Sequence, residues 1–125
     1  MVDSEEVISE KNQTKEGIAM NKENLERIIQ EFKDEIQKIT GSNLKRVVLF
    51  GSYARGDAEE GSDIDLLLIF EHKTSSDVIS KIRAVSNRLS LKYDVVISEF
   101  LFTEEDFNNY KTPFLLTVKR EGIPV

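Results

Sequence analysis

Residues 44–70 read LKRVVLFGSYARGDAEEGSDIDLLLIF, and this stretch decides the architecture. Leu44 to Phe50 ends in an apolar run, Val47, Val48, Leu49 and Phe50, and reads as a first strand. Gly51 and Ser52 break it, Tyr53 to Arg55 make one helical turn, and Gly56 to Ser62 is a polar loop. Asp63 to Phe70 is a second strand. Its inner part, Leu66 to Phe70, is apolar at every position, as for a strand covered on both faces. A connection this short suits antiparallel neighbours, so the end of strand one meets the start of strand two.

That meeting point holds the chemistry. Residues two apart on a strand share a face, so Asp63 and Asp65 project side by side. Two neighbouring carboxylates repel, and one takes up a proton unless a cation sits between them. Hard oxygen ligands select Mg²⁺ or Mn²⁺, and paired ions clamp the attacking and leaving oxygens in phosphoryl chemistry. Gly51 lets backbone approach a phosphate closely. Ser52 adds a hydroxyl, and if it caps the short helical turn, free N–H groups favour an anion there. Alone, a Gly-Ser pair after a strand is an ordinary turn, and an Asp-x-Asp at a strand start is an ordinary solvated edge. The four residues at this spacing arise by chance on the order of once in a thousand such chains.

Outward from this centre the chain alternates elements. Leu25, Ile28, Ile29, Phe32, Ile36 and Ile39 form one helical face, stopped by Gly41. Val78, Ile82, Val85 and Leu89 form another, within a helix from Ser75 to Leu91 capped by Ser75 or Ser76. Tyr93 to Phe100 reads as strand three. Thr103 opens a short helix, Pro113 interrupts or begins the last one, Gly122 caps it, and Ile123 to Val125 adds a short edge strand. Residues 1–20 are polar, acidic and aperiodic, and read as a loose tail before one domain over residues 21–125. The expected fold is α+β, a mixed sheet of three core strands plus the edge strand, packed with helices.

Composition narrows the function. The chain has 125 residues, 39% of them hydrophobic, and a net charge of −6. An acidic domain is a poor direct binder of nucleic acid. Without Cys and with His72 as the single His, neither a disulfide nor a zinc site is built. No run is long enough for a membrane span and no signal pattern opens the chain, so a cytoplasmic protein is expected.

Gly51-Ser52, ten residues, then Asp63-Ile64-Asp65 resembles the signature of the DNA polymerase beta-like nucleotidyltransferase superfamily. Gly51-Ser52-Tyr53-Ala54-Arg55-Gly56 is similar to its minimal (MNT) members. The resemblance covers about residues 44–100 in element order, and its specific part is Gly51 to Asp65. It implies a nucleotidyltransferase fold and transfer of a nucleoside monophosphate from a triphosphate to a hydroxyl. Gly51 and Ser52 would hold the triphosphate, ATP as substrate, and Asp63 and Asp65 the Mg²⁺ or Mn²⁺. The family's third carboxylate, a general base or further metal ligand, is best matched by Asp94, with Glu99 as fallback. Arg55 either contacts a phosphate or ties the loop to Asp57. Tyr53 reads as packing and His72 as exposed.

MNT proteins are commonly encoded beside a helical HEPN-type toxin, which they silence by adding AMP to a tyrosine. The resemblance therefore implies an antitoxin with a HEPN partner. Two other readings stay open: a small-molecule enzyme acting on an aminoglycoside-like acceptor, and a non-catalytic module that neutralises its partner by contact. A domain this small leaves the acceptor to be presented by another molecule or by a second copy in a homo-oligomer.

Overall fold

The computed structural model describes residues 20–125. The tail expected over residues 1–20 therefore lies, apart from Met20, outside the described residues. Helix α1 (Lys22–Thr40) begins at Asn21, whose side chain accepts the Asn24 N–H, and buries Ile28, Ile29, Phe32 and Ile36. A 3₁₀ turn (Gly41–Asn43) leads into β1 (Leu44–Phe50). Then follow α2 (Ser52–Arg55), β2 (Ile64–Phe70), α3 (Ser76–Tyr93), β3 (Ile97–Thr103), α4 (Glu104–Asn109), α5 (Pro113–Glu121) and β4 (Ile123–Pro124).

The strands lie in the order β3-β2-β1-β4. Strand β1 runs antiparallel to β2 and β4, while β2 and β3 are parallel, so the sheet is mixed and the fold α+β, as expected. Alternation assigns the faces. Ile64, Leu66, Leu68 and Phe70 pack with α1 and α3, and Leu67 and Ile69 pack with Phe107, Leu115 and Val118 of α4 and α5. Both faces of β2 are thus covered, which explains its unbroken apolar run. Fully burying each such side chain is worth about 1.5–3 kcal/mol. Leu44 and Val47 share a face although three residues apart, because the ladder shifts between Leu44 and Arg46.

One boundary differs from the sequence reading. Helix α3 continues to Tyr93 and strand β3 starts only at Ile97. Tyr93 extends the apolar face of Val85 and Leu89 into the core. Its hydroxyl donates to Glu31 of α1, and Lys92 pairs with the same carboxylate at 2.8 Å. The Lys92 bond, then that of Tyr93, holds the Glu31 carboxyl below its usual range. Asp94 ends the helix in the left-handed conformation, with its N–H on the Ser90 carbonyl. The Ser90 hydroxyl accepts the Ile97 N–H at 3.0 Å and so launches β3. Among the described residues, no helix is long and apolar enough to cross a membrane.

Candidate active site

The corner after β1 is built around Gly51. It has φ 81° and ψ −157°, a region essentially reserved for glycine. A Cβ at this position would collide with the Asp65 carboxylate. Glycine is required twice over, by dihedral angles and by space. Gly51, rather than Ser52, occupies the cap of α2, and no side chain bonds into that cap. The Gly51 carbonyl accepts the N–H groups of Ala54 and Arg55, each at 3.0 Å. Half-buried Ser52 is the first residue of the turn, and the first amides of a helix have no acceptor within it. Its carbonyl accepts from Gly56 and Asp57, which closes the turn.

Asp65 is the cross-strand partner of Phe50 and so sits directly beside this corner. It is half-buried, whereas Asp63 is exposed immediately before β2. Burial first, then the negative charge of Asp63, pushes the Asp65 carboxyl above its usual range, and Arg55 opposes the rise. Strand β3 brings Ser98 into register with Asp65, and the Ser98 hydroxyl donates to the Asp63 carboxylate at 3.4 Å. A half-buried carboxylate of raised proton affinity, Asp65, beside a second carboxylate is what a hard cation relieves. Among the described residues, no group of three or more His, Asp or Glu is placed to hold a metal. The set still fits Mg²⁺, which is commonly held by one or two carboxylates together with substrate phosphates and water.

The structure sets Asp65 against Gly51 and beside Asp63, with Ser52 next in the chain, whereas Asp94 joins no metal-holding group among the described residues. Asp94 is exposed at the C-terminal cap of α3, before strand β3 begins, so the expected place at a strand start is corrected. The β3 position beside Asp65 belongs to Ser98 instead. Sequence reasoning missed Ser98 because it started the strand four residues early. The helical spacing of Leu89 and Tyr93 was the signal that the helix ran on. Glu99, the fallback, is in register with Leu66 and pairs with Arg83 of α3 at 3.0 Å, on the opposite sheet face. Arg55 bonds Asp57 at 3.2 Å and Glu121 at 3.3 Å, so it ties α2 to the end of α5 while facing the field of Asp65. Tyr53 packs against the α1 side of the core, and His72 is exposed.

This fold and corner define a class. The family model for the nucleotidyltransferase domain matches residues 25–120, and the chain belongs to that family, among its minimal members. It is accordingly an enzyme of the nucleotidyltransferase kind. It is 41% identical over 98 residues to MJ0141 of Methanocaldococcus jannaschii, provisionally named a protein adenylyltransferase, covering 78% of this chain and 95% of that one. A solved structure provisionally called a minimal nucleotidyltransferase is 26% identical with a TM-score of 0.53, over 81% of this chain and 95% of that one. The fold is also shared with a chain of a toxin–antitoxin crystallised with AMP-PNP, at 17% identity and TM-score 0.55, over 76% and 70% of the two chains.

Proposed function

We propose that this chain transfers AMP from ATP to a hydroxyl of a partner protein, a tyrosine of a HEPN-type toxin, as the antitoxin of a pair. The observation that carries the transfer is the Asp63–Asp65 pair set against the Gly51 corner. The name of the 41% identical relative supports a protein acceptor, and the toxin–antitoxin of the same fold supports the pairing.

Each residue has a physical task. Gly51 lets the triphosphate approach the backbone without a side chain in the way. The first amides of α2 and the Ser52 hydroxyl donate to its oxygens. Asp63 and Asp65 hold Mg²⁺ or Mn²⁺, and Ser98 fixes the Asp63 carboxylate. When bound, such an ion neutralises charge that builds on the phosphate oxygens during transfer. Asp94 as third carboxylate rests on the resemblance alone, and Ser98 is the better-placed neighbour.

The test is intact-mass spectrometry of the protein encoded beside this chain after co-expression. A gain of AMP units on a tyrosine, lost with Asp65→Asn, is the expected result. An unmodified neighbour together with ready labelling of an aminoglycoside would replace the partner protein by a small acceptor. Failure to bind ATP in the presence of Mg²⁺ would remove the enzymatic reading of the pair.

A further inference from the structure

On the carboxylate face of the sheet, one strand beyond Asp65, lies an aromatic cluster that the triphosphate site does not use. Ser98, Phe100 and Phe102 alternate on β3 and share the face of Asp65 and Phe50. The Phe100 ring lies 5.5 Å from Phe50 and 5.4 Å from Phe114 of α5, and Phe50 lies 5.4 Å from Phe114. Phe102 stacks on Phe114 at 6.2 Å. Phe50 is buried, yet Phe100 and Phe114 each leave 37% of their surface exposed. The two rings are held from behind and open in front.

The order of the strands says what this platform faces. The Gly51 corner lies at the end of β1, Asp63 and Asp65 at the start of β2, and Phe100 on β3, with Phe114 of α5 laid across between Phe50 and Phe100. In phosphoryl transfer the attacking and leaving oxygens are roughly in line. With pyrophosphate leaving toward the Gly51 side, the acceptor oxygen must come from the β3 side. Phe100 is one strand over and two residues along from Asp65, roughly 8 Å between backbones. A tyrosine lying on the platform would reach the carboxylates with its hydroxyl. The four rings carry no charge, and an aromatic face pairs well with another ring; a polycationic sugar needs carboxylates that these four rings do not supply.

We infer that Phe100 and Phe114 form the docking platform for the ring of the phenolic acceptor already proposed. The inference rests on the nucleotidyl-transfer reading. The phenolic oxygen forms a bond to the α-phosphorus, the bond from that phosphorus to the oxygen bridging to the β-phosphate breaks, pyrophosphate leaves, and the phenolic proton goes to solvent. Phe100 and Phe114 position the ring and take no part in the bond changes.

The experiment measures transfer of α-labelled AMP at saturating ATP to N-acetyltyrosinamide, N-acetylserinamide and kanamycin. It uses the wild type and the Phe100→Leu, Phe114→Leu and doubly substituted proteins. Leucine keeps apolar bulk, and circular dichroism confirms that each variant is folded. The wild type should prefer the phenolic probe, and the double variant should raise its KM about tenfold, with the affinity for ATP within about twofold of wild type. No preference for the phenol, no transfer to it, or an unchanged KM in the double variant would overturn the platform. Loss of ATP affinity in place of acceptor affinity would overturn it too, by assigning the rings to the nucleobase. If the wild type binds no ATP with Mg²⁺, the transfer reading itself fails, and the platform falls with it.

Discussion

Substituting Gly51 by alanine is the sharpest probe of the corner. At φ 81° and ψ −157° a side chain costs about 1–3 kcal/mol in backbone strain alone. The new methyl also collides with the Asp65 carboxylate, an overpacking effect of about 1–3 kcal/mol more. Gly41 provides the control, because its φ is also positive, 59°, while nothing stands within 4 Å of an added Cβ. Gly41→Ala should therefore cost only the backbone part, about 1–3 kcal/mol. Gly51→Ala should cost about 2–6 kcal/mol, enough to lower Tm by roughly 4–8 °C for each kcal/mol in a domain near this size. Urea unfolding followed by circular dichroism gives both values, and labelled-AMP transfer should be lost in Gly51→Ala and kept in Gly41→Ala. Adding Asp65→Ala to Gly51→Ala removes the colliding atoms, so the pair should be less unstable than the sum of the single changes. Additive energies in that cycle, or equal costs at Gly41 and Gly51 with transfer intact, would refute the close packing of Gly51 on Asp65.

Three further outcomes follow from the same geometry. In chelator, the raised Asp65 carboxyl gives stability that is full below the ordinary carboxylate range and is lost as pH rises through its raised value. Asp65→Asn should remove that loss while abolishing transfer, and melting curves from acid to neutral pH that run parallel for the two proteins would contradict it. Asp94→Asn should keep transfer within about twofold, since asparagine also tolerates the left-handed cap, whereas Ser98→Ala should lower turnover severalfold; the reverse order in initial rates would restore Asp94 to the site. The buried Ser86 hydroxyl of α3 has no hydrogen-bond partner among the described residues, so Ser86→Ala should raise stability by about 1 kcal/mol in chemical unfolding.

Much of this protein is local, and local features are legible in a chain of letters. The apolar run from Leu66 to Phe70 requires cover on both faces, and the helical spacing from Leu25 to Ile39 requires a sheet to lie on. The short passage from Phe50 to Asp65 forces two strand ends together. Gly51, Ser52, Asp63 and Asp65 could be read as one site for that reason. The third position could not, because it depends on where α3 stops and on the register of β3. Tyr93-Asp94-Val95-Val96-Ile97 has the composition of a strand. Packing of Tyr93 against α1 holds the first of these residues in the helix, and the left-handed turn at Asp94 moves the strand start to Ile97. Register then selects Ser98, not Asp94 or Glu99, as the neighbour of Asp65. The aromatic platform is equally a product of tertiary structure. Phe50, Phe100 and Phe114 are scattered over three elements, and only strand order β3-β2-β1 together with the packing of α5 gathers them on the face of Asp65. Periodicity and turn chemistry act over a few residues and leave their mark in sequence; register and strand order are set by contacts between distant segments, which no single stretch records.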